Sequence, residues 1–271
     1  MAPVPQQDAA KSERPIVEFK GVSKRFANGT LALSGMSLKV CDGEFVSLLG
    51  PSGCGKSTAL RLVAGLGQST SGQIDWPKAQ YTSDGKPLRE MSFVFQEPTL
   101  MPWATVFKNV WLPLRLKGVS RQAARDRVMA ALEMVRLQKF PNAYPRELSG
   151  GMKMRVSIAR ALITRPRLLL MDEPFAALDE ITRQRLNDDL LRLWEQFRWT
   201  ILFVTHSVTE AVYLSNRIVV MAAQPGRVIA DTQNDLSYPR DREVRTSTEF
   251  AAASRRVSSI LNESMGAQDH L

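Results

Sequence analysis

This sequence has very little cysteine or histidine: Cys41 and Cys54 are its two thiols, His206 and His270 its two imidazoles. Nothing near the cysteines has the spacing of a zinc cluster or a redox pair, so they read as reduced structural thiols rather than as a disulfide or a metal site. No apolar run approaches the roughly 20 residues of a membrane span. The most hydrophobic stretches, RLLLMD and TILFVT, have the length of buried strands. The opening MAPVPQQDAAKSERP lacks the apolar core of a signal peptide. It reads as a flexible leader over 1–14, and the chain is expected to stay in the cytosol. Internal repeats, low-complexity blocks and heptad arrays are missing too, which removes solenoids and long coiled coils from consideration. Acid is short relative to base: 36 Lys and Arg face 27 Asp and Glu, for a net charge of +9. That excess suits nucleic acid, an anionic membrane surface or a nucleotide ligand equally. Because no aromatic-rich basic stripe accompanies it, nucleic acid is not the expected partner.

What is present is an alternation of strands and helices. IVEFK (16–20) and MSLKV (36–40) alternate as half-buried strands, with turns at Asn28-Gly29 and Asp42-Gly43, so the chain is expected to open on an antiparallel β subdomain. EFVSLLG then runs into a Gly-rich loop and a helical pattern. RLLLMD, TILFVTH and RIVVMAA each follow helices, the order of a parallel α/β core sheet. Between about 98 and 165 the strand signal stops. There SRQAARDRVMAALEMVRLQKF carries Ala124, Val128, Ala131, Leu132 and Val135 at helical spacing behind Ser120 as an N-cap, which predicts an inserted helical subdomain. The main domain is expected over 15–235. A tail over 236–271 reads as basic, with one short helix around 249–261 that is expected to pack on the main domain.

GPSGCGKST fits G-x-x-x-x-G-K-[ST] through Gly50, Gly55, Lys56 and Ser57, after a strand and before a helix, as a phosphate loop requires. In such a loop the glycines Gly50, Gly53 and Gly55 let backbone N–H groups turn toward phosphate, with Pro51, Ser52 and Cys54 completing the loop, and the helix N-terminus adds its positive dipole end. Lys56 neutralises charge, and Ser57 and Thr58 stand at the helix start with Ser57 able to ligate Mg²⁺. Alone, the glycine run would also make a flexible turn. Asp172 and Glu173 end an apolar strand, where open α/β sheets place ligands. They read either as a solvent-facing pair or, given the phosphate loop, as a Mg²⁺ ligand and a general base toward water. His206 ends another strand and would sense the γ-phosphate and orient Glu173, or is merely structural. Gln96, in FVFQEP, ends a further strand where the insertion begins, placed to touch Mg²⁺ or water, or lies on the surface.

Together with LSGGMKMR at 148–155, these pieces resemble the ATP-binding subunits of ABC transporters over roughly 16–261. The matching segments are the Walker A loop at 50–58, the Q-loop at Gln96, the signature LSGGMKMR, the Walker B segment LLLMDE, the D-loop ALD ending at Asp179, and the switch His206. The resemblance implies the P-loop NTPase fold of an ABC ATPase, with ATP and Mg²⁺ as cofactors. It also implies a head-to-tail homodimer in which Ser149, Gly150 and Gly151 of one chain cap the γ-phosphate of ATP held by Lys56 of the other. Local chemistry agrees, since Ser149 precedes a helical pattern and so aims a hydroxyl and a helix N-terminus at an anion. Taken without the other motifs, Ser149 reads as a plain N-cap after a Gly-containing turn before it reads as a ligand site. Two positions depart from the family pattern. Met152 stands where Gln is usual, and Phe26 stands where an adenine-stacking Tyr is common, so Phe26 is either a stacking platform or a core aromatic.

The resemblance further implies transmembrane permease subunits, an indirect solute-binding protein, and a peripheral place on the cytoplasmic face of the inner membrane. The signature variant, QEPTLMPWATVFKNV and YPRDREV are similar to the importer subgroup serving nitrate, taurine and aliphatic sulfonates. Importers of other solutes, soluble ABC-type ATPases acting on nucleic acid or the ribosome, and non-hydrolysing nucleotide binders stand as alternatives. The last are opposed by the presence of both Glu173 and His206.

Overall fold

The computed structural model describes residues 15–266 except 84 and 86. The leader expected over 1–14 and His270 lie outside the described residues. Two sheets organise the rest. The smaller is antiparallel, in the order β2-β1-β4, from β1 (Val17–Arg25), β2 (Leu31–Val40) and β4 (Ser71–Asp75). The larger has six strands in the order β5-β6-β7-β3-β8-β9: β3 (Phe45–Leu49), β5 (Met91–Val94), β6 (Leu168–Asp172), β7 (Thr200–Thr205), β8 (Arg217–Ala222) and β9 (Arg227–Gln233). Its strands are parallel except β9, which returns antiparallel to β8, so the expected parallel core carries one antiparallel edge.

Every residue of β3, β6 and β7 is buried, because helices or the small sheet cover both faces. Alternation along β3 divides the core in two. Val46 and Leu48 meet Phe19 and Leu60 on the side of the antiparallel sheet and α1 (Lys56–Val63). Phe45 and Leu49 join the cluster of the remaining helices, where the Phe45 ring meets Trp194 edge-on at 5.8 Å. The insertion between β5 and β6 is helical as expected: α2 (Val106–Leu116), α3 (Arg121–Met134), capped by Ser120, and α4 (Gly150–Leu162).

After β6 come α5 (Glu180–Phe197) and α6 (Val208–Leu214), and the described chain ends in α7 (Thr248–Gly266), longer than the helix expected there. The tail is not basic as a whole: 236–271 hold five arginines against five aspartates and glutamates. Its arginines are engaged by the main domain. Buried Arg240 donates to the carbonyls of Val212, Tyr213 and Ser215 at the end of α6, and Arg242 and Arg245 pair with Asp188 of α5. Phe250, Ala253 and Val257 of α7 enter the larger core cluster. Neither cysteine forms a disulfide, and Cys54 is fully buried.

Candidate functional site

The central strands end in register. Leu49 lies beside Thr205 and Asp172 beside Val204, so the carboxyl ends of β3, β7 and β6 sit side by side at the edge where such sheets bind ligands. The residues that follow these strands are Gly50, His206 and Glu173.

The loop after β3 is held from outside as well as by its own turn. A side chain at Gly50 would come 2.5 Å from the Met221 carbonyl oxygen, and Gly55, at φ +90°, would drive one 2.5 Å from that of Ala32. Cys54 tucks its sulfur beneath the loop, and its thiol is pushed up by burial. Lys56 is buried at 3% exposure, donates to the carbonyls of Gly50 (2.8 Å) and Pro51 (2.9 Å), and lies 3.6 Å from Glu173 Oε1. The cleft above, about 520 Å³, is bounded by Ser52, Gly53, Gly55, Lys56, Ser57 and Thr58, and by Gln96 and Glu173. Phe26 is 46% exposed and lines the same cleft, so it is not a core aromatic. Lys24 Nζ lies 5.4 Å from its ring centre.

Glu173 has φ +45°, a conformation that costs a non-glycine residue of order 1 kcal/mol or more and persists only where the surroundings enforce it. Its N–H is fixed by the Val204 carbonyl at 3.1 Å. Its Oε2 lies 2.9 Å from His206 Nδ1, so the carboxylate is held between the imidazole and Lys56. Beside it the Ser57 hydroxyl donates to Asp172 Oδ1 at 2.6 Å. Burial pushes the Asp172 carboxyl up more than Ser57, Arg61 and Lys56 pull it down, so an ionised Asp172 gains from a nearby cation. Among the described residues no cluster of three or more His, Cys, Asp or Glu could hold a metal. One carboxylate and one hydroxyl, completed by phosphate oxygens and water, suit Mg²⁺ and not a closed zinc site.

Ser149, Gly150 and Gly151 do not line this cleft. Ser149 is exposed and caps α4, its Oγ accepting from Met152 N–H at 3.3 Å, and the first turn of α4 holds no acid. Gly151 is buried for an internal reason: a Cβ there would come 2.7 Å from Thr182 Cγ2. Asp179 caps α5 through Thr182 N–H at 2.9 Å, a bond that lowers its carboxyl. Sequence reasoning missed Thr30, Ala32, Gln224 and Gly226 around the cleft. The last two stand in the β8–β9 turn, where Gly226 exchanges backbone bonds with Ala32 and Ser34, and the pair Pro225-Gly226 was the available signal.

The family model for ABC transporters matches residues 33–176. An ATP-binding protein of Brucella abortus is 47% identical over 244 residues, 90% of this chain and 92% of that protein. The aliphatic sulfonates import ATP-binding protein SsuB of Bacillus cereus is 44% identical over 244 residues, 89% of this chain and 94% of that protein. Among solved structures, a dimeric post-hydrolysis ATP-binding cassette bound to ADP and inorganic phosphate matches with a TM-score of 0.68 and 33% identity, over 82% of this chain and 100% of that one.

Proposed function

The chain belongs to the ABC transporter family of ATP-binding proteins, and we propose that it powers a membrane importer for aliphatic sulfonates or a related small solute such as taurine or nitrate. It is an ATPase. The loop at 50–58 receives the phosphates, Lys56 supplies positive charge, and Phe26 offers one ring face to adenine. Ser57 and Asp172, with Gln96 beside them, are the residues that would hold Mg²⁺, whose chemistry there is to neutralise the β- and γ-phosphate oxygens. Glu173 accepts the proton of the attacking water, a role contributing on the order of 10²–10⁴ in rate. His206 holds that carboxylate in place. Ser149 and the N-terminus of α4, exposed and free of acid, cap the γ-phosphate of a second copy's ATP, so two head-to-tail chains make two shared sites.

No helix among the described residues is long and apolar enough to cross a membrane, so attachment would be through permease subunits. The groove of Phe93, Phe95, Leu112, Pro113 and Leu116 beside Gln96 is the surface for them, with Trp103 76% exposed nearby in sequence. A solute-binding protein would act through those subunits without touching this chain.

The solute reading is carried by likeness to the Bacillus cereus sulfonate subunit along nearly all of both chains. A strain lacking the protein is grown with an alkanesulfonate or taurine as sole sulfur source and, separately, with nitrate as sole nitrogen source. At least one uptake is lost, and is restored by the wild-type chain but not by Lys56→Ala. Normal uptake of all three would reject the solute class while leaving the ATPase assignment standing.

A further inference from the structure

The turn that carries His206 is built around a buried carboxylate. Thr205, the last residue of β7, and Ser207, the N-cap of α6, flank the histidine. The Thr205 hydroxyl accepts from Ser207 N–H at 2.9 Å and donates to Glu210 Oε2 at 2.6 Å. Ser207 Oγ in turn accepts from Glu210 N–H at 3.3 Å. The backbone on both sides of His206 is thereby closed into a ring of three hydrogen bonds with Glu210 as its anchor. In an ordinary capping box the glutamate would bond the N-cap N–H directly. Here a threonine hydroxyl stands between them, which ties the strand end into the cap as well. The imidazole at the tip of this ring is the group 2.9 Å from Glu173 Oε2.

Glu210 is a costly way to fill this position. It is 8% exposed, Ala211, Val212, Tyr213 and Leu214 beside it are also buried, and burial pushes its carboxyl up against the pull of the Thr205 hydroxyl, the Arg183 charge and the Asn187 side chain. An apolar side chain of similar size would avoid the desolvation of that carboxylate, so packing alone does not explain a glutamate here. What an apolar residue cannot do is hold the Thr205 hydroxyl.

We propose that Glu210 is a positioning residue for hydrolysis, acting through Thr205 to fix the turn that delivers His206 to Glu173. The inference rests on the roles given above to Glu173 and His206. It requires that loss of the ring slow the chemical step without weakening ATP binding or the fold.

The test compares Glu210→Leu, Glu210→Gln and Thr205→Val in steady-state ATP hydrolysis, with thermal melting of each and with Glu210→Leu repeated in a His206→Ala background. Glu210→Leu and Thr205→Val lower kcat about tenfold or more, with KM for ATP within about twofold and the melting temperature not reduced. Glu210→Gln keeps an oxygen for the hydroxyl and stays within about threefold of wild type. In the His206→Ala background Glu210→Leu adds nothing, because the two act as one unit. Wild-type kcat in both Glu210→Leu and Thr205→Val, with His206→Ala impaired, would overturn the proposal and leave the reading of the site intact. An equal loss with and without His206 would also overturn it. If His206→Ala itself hydrolyses ATP normally, the reading of the site fails first.

Discussion

The phosphate loop and the LSGGMKMR segment are both glycine-rich turns that open a helix, yet they are built differently. The loop at 50–58 is gripped by the rest of the chain: Gly50 lies against Met221, Gly55 against Ala32, and Ser57 bonds Asp172 across a distance of 115 residues in sequence. Its lysine is buried, with Glu173 within 3.6 Å. At the other turn Ser149 is exposed, its hydroxyl makes a long bond of 3.3 Å within its own cap, and no acid offsets the start of α4. The contrast teaches that glycines alone do not mark a ligand. Gly151 is explained by Thr182 of its own chain, whereas under the proposed function the exposed Ser149 hydroxyl and the acid-free start of α4 would meet the phosphate of a second copy's ATP.

The sharpest way to break this contrast is at Lys56. Lys56→Ala removes the charge facing the β- and γ-phosphates and lowers phosphate release by at least about 10²-fold; near wild-type turnover in a clean preparation would contradict the assignment of the loop. Next in size is Glu173→Gln, which keeps both phosphate grips and removes the base, so turnover falls by about 10²–10⁴ while ATP is still bound. With ATP and Mg²⁺ this variant accumulates as a dimer in size-exclusion chromatography; adding Ser149→Arg to the same chain returns it to monomer. A monomer at every concentration before Ser149 is changed would count against a shared site. The smallest effect separates packing from binding at Gly151. Gly151→Ala crowds Thr182 Cγ2 and costs about 1–3 kcal/mol, read as a fall in melting temperature. Thr182→Ser, which lacks that methyl, recovers most of the loss. If it recovers nothing, the contact is not what requires glycine.

How legible these regions were in the sequence follows from how local their requirements are. The phosphate loop and the acids after β6 need particular residue types in unbroken order beside an apolar strand, and the sequence shows them together. The helical insertion was visible because Ala124, Val128, Ala131 and Leu132 repeat with helical spacing and are buried in α3. β4 and β9 were not seen, since SGQID and RVIADTQ are short, partly exposed and polar, and their strand character comes from pairing with β1 and β8. Gln224 and Gly226 reach the cleft only because β9 folds back, a tertiary fact with a weak local trace. Glu210 has no local sequence signal of burial, because its place against Thr205 depends on how α6 returns onto the sheet. The tail is a different case: its five acids balance its five arginines in the sequence itself, whereas the pairing of Arg242 and Arg245 with Asp188 and of Arg240 with carbonyls at the end of α6 is tertiary.

The central claim, that each ATP is held by the phosphate loop of one chain and the Ser149 turn of another, is tested most directly by mixing Lys56→Ala with Ser149→Arg. Each variant alone is inactive, because every site it can form lacks one grip. A mixed dimer contains one site made from the unaltered loop of one chain and the unaltered signature of the other, so ATP hydrolysis returns on mixing and rises with the fraction of heterodimer measured by native mass spectrometry. A mixture that stays as inactive as its parents while heterodimers are seen to form would contradict the claim.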